Sequence, residues 1–146
     1  MASHLDELRS LYDRVDALYA DWRCPNSGDC CRFGGASRQP YVTALEWSAI
    51  RHALAAIGGG PSCADRASPL DRERACPLLA RDGRCSVYAD RPFGCRTFYC
   101  GRAQRGARPD SAELDALVAA LRELAARHQL GGEIARPLSL AYDREG

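Results

Sequence analysis

Apolar residues recur at helical spacing near the start of the chain. Ser3 with Asp6 matches a capping box, the pair of side chains that begins many helices. The apolar positions that follow recur at helical spacing, with charged residues between them, and are Leu5, Leu8, Leu11, Val15, Leu18, Tyr19 and Trp22. The pattern predicts a helix over residues 4 to about 22 that buries one face and leads directly into Cys24.

Two more stretches have the same periodicity. They predict a middle helix and a C-terminal helix over residues 110–131, each with a capping pair at its start and glycines at its end. The capping residues are Thr43 and Glu46, then Asp110 and Glu113, and the glycines are Gly58, Gly59 and Gly60, then Gly131 and Gly132. The apolar residues are Leu45, Trp47, Ile50 and Leu54 in the middle helix, and Leu114, Leu117, Val118, Leu121, Leu124 and Ala125 in the last.

The helical periodicity is lost between the middle and last helices. Residues 61–75 are polar and irregular and predict a loop. Residues 76–100 carry turn signals around a short predicted strand at Cys85–Tyr88. No pattern is visible after the last helix. The predicted fold is therefore mainly α: a small single domain, residues 1–146, of about three helices around an irregular cysteine-rich region, with little β-structure.

Composition narrows the classes of function. A chain of 146 residues is long enough to form one domain with its own core. The net charge is +1 and the charged residues form no long block of one sign, so no nucleic-acid partner is expected. All 20 basic residues are Arg, which leaves no Lys for Schiff-base chemistry. The N-terminus lacks the apolar segment of a signal peptide, and no stretch could span a bilayer, so we expect no membrane partner and a cytoplasmic location.

Seven of the eight cysteines form two clusters along the sequence. The N-terminal cluster is Cys24, Cys30 and Cys31, and the C-terminal cluster is Cys76, Cys85, Cys95 and Cys100. In a chain without a secretion signal, thiols gathered in this way favour metal binding over disulfides and over a role as small buried apolar residues. Thiolate binds zinc, iron and iron–sulfur clusters, so all seven are candidate ligands and a metal ion is the expected partner.

The two clusters are expected to meet in space. Cys30 and Cys31 are adjacent, and neighbouring side chains of extended chain point away from each other, so one metal would not readily take both. The pair suits a bridge between two metals, two separate sites, or one ligand beside a redox-active thiol. A four-thiolate centre is negatively charged, and Arg91 and Arg96 are the candidates for binding such a cofactor or orienting its thiolates. The competing interpretation is that arginine is simply abundant in this chain.

The segment CPLLARDGRCSVYADRPFGCRTFYC, residues 76–100, resembles the second half of the YkgJ-like "CxxCxxCC" cysteine-cluster family of zinc- or iron-chelating proteins. The matching positions are Cys76, Pro77, Leu79, Gly83, Cys85, Tyr88, Arg91, Pro92, Cys95, Arg96, Phe98 and Cys100. Upstream, CPNSGDCC keeps all three cysteines of the N-terminal cluster, with Ser27 where the family has its second cysteine. The resemblance covers residues 22–101, the cysteine-cluster region, and implies that this region chelates zinc or iron.

Ser27 leaves three ligand sets open. The site is complete with seven thiolates, or Cys63 supplies an eighth, or the cluster is reduced and has an open coordination position. The seven-thiolate set predicts that Cys63→Ala keeps the metal content unchanged. The metal stays open too. The chain has no close C-x2-C knuckle of the kind zinc sites use, which favours iron, whereas aerobically handled proteins often carry zinc at such sites.

Three functions fit these residues. The first is a protein that binds one or two metal centres for structure, chelation or electron transfer. The second is a metal-dependent enzyme or an accessory protein of a modification system, because larger proteins that resemble the family at its cysteines include S-adenosylmethionine-dependent flagellin lysine methylases. The third is an interaction module shaped by a structural metal. The first is favoured, since the chain has no recognisable glycine-rich cofactor loop, and no catalytic residue is assigned.

Overall fold

Helices dominate the architecture. The computed structural model describes residues 3–20, 40–58, 76–79, 84–97, 109–128 and 135–138. In this part of the chain the elements are, in order, α1 (His4–Leu18), β1 (Tyr41–Val42), α2 (Ala44–Ala56), a 3-10 helix (Tyr88–Asp90), α3 (Phe93–Arg96), α4 (Ser111–His128) and β2 (Arg136–Pro137). Three long helices beside one small sheet confirm the predicted mainly α fold class.

Short-range hydrogen bonds set where the first two long helices begin. The Ser3 hydroxyl accepts from the backbone N–H of Asp6 at 3.1 Å, and the Asp6 carboxylate accepts from the N–H of Ser3 at 3.2 Å. The same reciprocal pair joins Thr43 and Glu46, at 3.2 and 3.1 Å. After α2, Gly58 adopts φ 84°, a left-handed conformation that favours glycine. Two of the three predicted capping boxes and the predicted stop at Gly58 are therefore present. At the third, the Asp110 carboxylate accepts from the N–H of Ala112 at 2.9 Å.

The prediction that the first helix reaches residue 22 is wrong. α1 ends at Leu18, and Tyr19 and Ala20 form a turn in which their N–H groups donate to Asp16 and Ala17. These bonds span three residues rather than four, so the last turn tightens and the helix stops although the apolar spacing continues.

α4 lies within the predicted residues 110–131. In the described part of the chain, no helix is long and apolar enough to cross a membrane.

A small sheet joins distant parts of the chain. β1 pairs with β2 in antiparallel fashion, with Tyr41 opposite Pro137 and Val42 opposite Arg136. The N–H of Leu138 donates to the Pro40 carbonyl at 3.0 Å. Sequence analysis found no pattern after the last helix, because two-residue strands are too short to show periodicity. The predicted strand at 85–88 is also reduced, to a single bridge followed by a turn.

Two apolar clusters form the core, and α2 lies between them. The helical core joins α1, α2 and α4 and consists of Leu8, Leu11, Tyr12, Val15, Tyr19, Leu45, Ala49, Leu117, Leu121 and Leu124. The cysteine-side core consists of Val42, Trp47, Ile50, Leu54, Cys76, Leu78, Leu79, Val87 and Leu138. α2 contributes residues to both, so it is covered on two faces. Folding therefore brings Cys76 and Cys85 into the apolar cluster that contains one face of the middle helix.

Candidate metal centre

Cys76 and Cys85 are held against the same apolar cluster by a short backbone framework. The carbonyl of Cys76 accepts from the N–H of Leu79 at 3.0 Å, which makes a tight turn. Leu79 then forms an antiparallel bridge with Cys85. Beside the bridge, the backbone N–H and the hydroxyl of Ser86 both donate to the Leu78 carbonyl, at 3.0 and 2.6 Å. Cys76 is only 4% exposed and Cys85 is half-buried, so two candidate ligands share one wall of the cysteine-side core.

Cys95 is carried by α3, a single helical turn. Pro92 precedes the turn, and its carbonyl accepts from the N–H groups of Cys95 and Arg96 at 3.0 and 3.1 Å. The N–H and the hydroxyl of Thr97 both donate to the Phe93 carbonyl at 3.1 Å. A helix of one turn is unstable in isolation because nucleation costs more than so few hydrogen bonds return. The position of Cys95 therefore depends on what holds α3 from outside.

Arg96 holds α3 from one side. The residue is 4% exposed, and its guanidinium donates to the carbonyls of Arg91 at 2.7 Å and Ala89 at 2.5 Å. The same group forms an ion pair with Asp16 of α1 at 2.7 Å and stacks 4.0 Å above the ring of Tyr12. One buried cation thus ties the Cys95 turn to α1 and to the 3-10 helix before it.

Arg91 braces the same turn more locally. Its guanidinium lies 3.9 Å above the Tyr88 ring and donates to the carbonyls of Tyr88 at 3.1 Å and Cys95 at 3.5 Å. Sequence analysis assigned Arg91 and Arg96 to binding or orienting the cofactor. Among the described residues, both guanidinium groups bond to backbone carbonyls, and Arg96 also to a carboxylate, so what the geometry supports is a role in orienting the turn that bears Cys95.

Glu46 holds α3 from the other side, and sequence analysis missed this role. It is 1% exposed, and its Oε1 accepts from the N–H of Phe93 at 2.8 Å and from the Tyr12 hydroxyl at 3.1 Å. Its Oε2 serves the capping box with Thr43. Burial raises the pKa of Glu46, although each of these donors acts to lower it. The only sign of this role in the sequence is that Glu46 stands between the apolar residues Leu45 and Trp47, and the capping box with Thr43 already accounted for an acidic residue there.

Tyr12 connects the two supports. Burial raises the pKa of the Tyr12 hydroxyl well above its ordinary value, and the nearby charge of Glu46 adds to this effect. The positive charge of Arg96 acts to lower the pKa. The Cys95 carbonyl accepts from the Arg91 guanidinium at 3.5 Å, and Phe93, in the same turn, donates to Glu46. Cys95 therefore borders a polar network rather than the apolar wall that holds Cys76.

The structure describes only part of the predicted ligand set. Cys76, Cys85 and Cys95 are thiols in the described residues. The other predicted ligands, Cys24, Cys30, Cys31 and Cys100, lie outside the described residues, as do Ser27 and Cys63. Within the described ranges, no group of three or more His, Cys, Asp or Glu side chains is arranged to hold a metal ion. The described thiols are soft donors of the kind that suit zinc and iron, but a centre needs ligands from beyond them.

Comparison with known proteins identifies the family. A family model for the CxxCxxCC domain, described as "Putative zinc- or iron-chelating domain", matches residues 23–113. No curated protein and no solved structure matches the chain. The matched span is more than half of the chain and contains both cysteine clusters and the turns that support Cys76, Cys85 and Cys95. The chain therefore belongs to the CxxCxxCC family of zinc- or iron-chelating domains, and this membership supports metal binding.

Proposed function

We propose that this protein binds zinc or iron through thiolates from both cysteine clusters. The proposed ligands are Cys24, Cys30, Cys31, Cys76, Cys85, Cys95 and Cys100. The observation that carries the proposal is the support given to the C-terminal cluster: Cys76 and Cys85 share one apolar wall, and buried charged side chains clamp the turn of Cys95. Buried charges are unfavourable unless they are paired, so their concentration at a single helical turn indicates that its position matters.

The C-terminal cluster needs partners to complete a centre. Because the described cysteines do not form a ligand group by themselves, we infer that Cys100 and the N-terminal cluster supply the remaining thiolates. Arg91 and Arg96 would then orient the turn that carries one ligand, as residues around a metal centre commonly do. A reducing compartment such as the cytoplasm would keep these thiols available, since oxidation to disulfides would remove them.

Paired serine substitutions test whether the clusters share a centre. Cys31→Ser and Cys95→Ser should each lower the bound metal per chain and the melting temperature, because each removes one ligand from a common site. Cys63→Ala is the matched control and should keep the metal content of the natural sequence. Unchanged metal content in both serine variants would refute a shared centre, and loss of metal in Cys63→Ala would show that Cys63 is a ligand.

Anaerobic purification decides between the candidate metals. Metal and sulfide analysis should be combined with a visible absorption spectrum of the same sample. Iron with equivalent sulfide and a broad visible absorption would identify an iron–sulfur cluster. Zinc in a colourless protein would identify a zinc site, because Zn²⁺ has a filled d shell. A preparation with neither metal would contradict the proposed function.

A further inference from the structure

We infer that Glu46 is a positioning residue for the metal centre: its carboxylate holds α3, and with it Cys95, against α1 and α2. The inference rests on the proposed function, because only a Cys95 that binds the metal must be kept in a fixed position. It goes beyond that function because Glu46 lies on the middle helix, far from every cysteine in the sequence.

The carboxylate joins three separate parts of the chain. Oε2 accepts from the Thr43 backbone N–H at 3.1 Å, which completes the cap of α2. Oε1 accepts from the Tyr12 hydroxyl of α1 at 3.1 Å and from the Phe93 N–H of α3 at 2.8 Å. The Phe93 bond is the shortest of these three and spans 47 positions of sequence.

Capping alone does not explain this arrangement. A capping box needs a single carboxylate oxygen, and it works equally well at the surface, as Asp6 shows at the start of α1. Glu46 is instead buried, where an ionised carboxylate is stable only if several donors surround it. The second oxygen finds those donors on α1 and α3. The geometry therefore indicates a second role for a residue that the cap already requires.

The contact lies at the point where it can control Cys95. Phe93 is the first residue of α3, and its N–H has no partner within that helix, as expected for the first turn of any helix. Glu46 supplies the acceptor, and Cys95 follows within the same turn. Tyr12 then links this contact to Arg96, because its hydroxyl donates to Glu46 while its ring lies under the guanidinium. A displaced Phe93 would carry Cys95 with it.

Proline at position 93 can remove the key hydrogen bond with little change to the backbone. Proline lacks the N–H and is accepted at the first position of a helix. Pro92 already has φ −65° and ψ 165°, the extended conformation that a residue before proline prefers. Phe93→Ala is the matched control, because it removes the same ring and keeps the N–H. Glu46→Gln tests the acceptor, since its amide must direct an NH₂ group at one of the donors.

Co²⁺ is the probe, added to the full-length reduced protein without oxygen. Chelator competition gives its affinity, and thiolate-to-cobalt absorption reports how many thiolates bind and in what geometry. Glu46→Gln and Phe93→Pro should weaken Co²⁺ binding by about 10–100-fold and change this absorption, as for other residues that support metal ligands. Phe93→Ala should stay within a few-fold of the natural sequence. Tyr12→Phe, the mildest change, should weaken binding in the same direction and remains informative if a stronger variant fails to fold.

The outcomes separate this inference from the proposed function. If the natural sequence shows thiolate-to-cobalt absorption and all variants match it in affinity and spectrum, the positioning role is wrong and the metal site stands. Equal weakening by Phe93→Ala and Phe93→Pro would also overturn the inference, because the ring and not the hydrogen bond would matter. If the natural sequence shows no such absorption, the proposed function fails and this inference fails with it.

Discussion

Replacement of Arg96 by alanine should destabilise the protein by about 4 kcal/mol, mainly because two hydrogen bonds from a charged donor to backbone carbonyls are lost. The guanidinium makes two hydrogen bonds to backbone carbonyls, of Arg91 and Ala89, and one ion pair to Asp16. It also covers the ring of Tyr12. Its loss would leave those carbonyls without their donors in a part of the protein that excludes much of the water.

The magnitude follows from how exposed each partner is. A hydrogen bond from a charged donor contributes about 1.5–3 kcal/mol, so the two bonds to carbonyls account for most of the effect. The Asp16 side chain is 45% exposed, so its ion pair with Arg96 adds no more than about 1 kcal/mol. Stacking on Tyr12 adds about 1 kcal/mol. The energy of desolvating the guanidinium opposes these contributions, which is why the expected total is lower than their sum.

Urea unfolding of the metal-free reduced protein, followed by far-ultraviolet circular dichroism, measures this effect without a contribution from metal binding. Arg96→Ala should lower the free energy of unfolding by about 4 kcal/mol, and Asp16→Asn by at most about 1 kcal/mol. Arg96→Lys should fall between them, because an ammonium keeps the charge but cannot reproduce the planar fork that reaches all three acceptors.

Two results would refute this reasoning about Arg96. One is an Asp16→Asn variant as destabilised as Arg96→Ala, which would make the ion pair and not the carbonyl bonds the main contribution. The other is an Arg96→Ala variant that loses less than about 1 kcal/mol, the range of an exposed side chain. An unchanged slope of unfolding free energy against urea is required in each case, so that the midpoints compare the same two states.

Three further measurements test other parts of the structure. Burial raises the pKa of Glu46 above 4.5, so at pH values between the pKa of the unfolded chain and that of the folded protein, the folded state keeps a proton that the unfolded state has lost. The free energy of unfolding of the metal-free protein should therefore fall as pH rises through this range, and it should fall less in Glu46→Gln. A Cβ on Gly94 would lie 3.2 Å from Cβ of Pro40, whose ring cannot easily move, so Gly94→Ala should lower stability by about 1 kcal/mol, and a raised melting temperature would contradict this. Leu138→Ala should cost about 2–4 kcal/mol in urea unfolding, and a cost near zero would show that this C-terminal contact adds little to the core.

Interactions within a few residues of one another could be predicted from the sequence. Ser3 with Asp6 and Thr43 with Glu46 form capping boxes in the structure because both partners lie three positions apart and the helix itself brings them together. The stop at Gly58 has the same local origin, since few other residues adopt its positive φ. The cysteine pattern identified the family because its residues recur at recognisable spacing.

The sequence by itself thus determined the helical fold class, the starts of the first two long helices and membership of a thiolate-rich family, all of which depend on residue type and short spacing. Only the tertiary structure decided that Glu46 and Arg96 clamp the turn of Cys95, and that β2 pairs with β1. Tyr12 and Phe93 lie 34 and 47 positions from Glu46, and Asp16 lies 80 positions from Arg96, while the two paired strands are too short for periodicity. Such contacts form because packing α1, α2 and α3 together buries polar groups that must then find partners, and no local pattern records which partner each one finds.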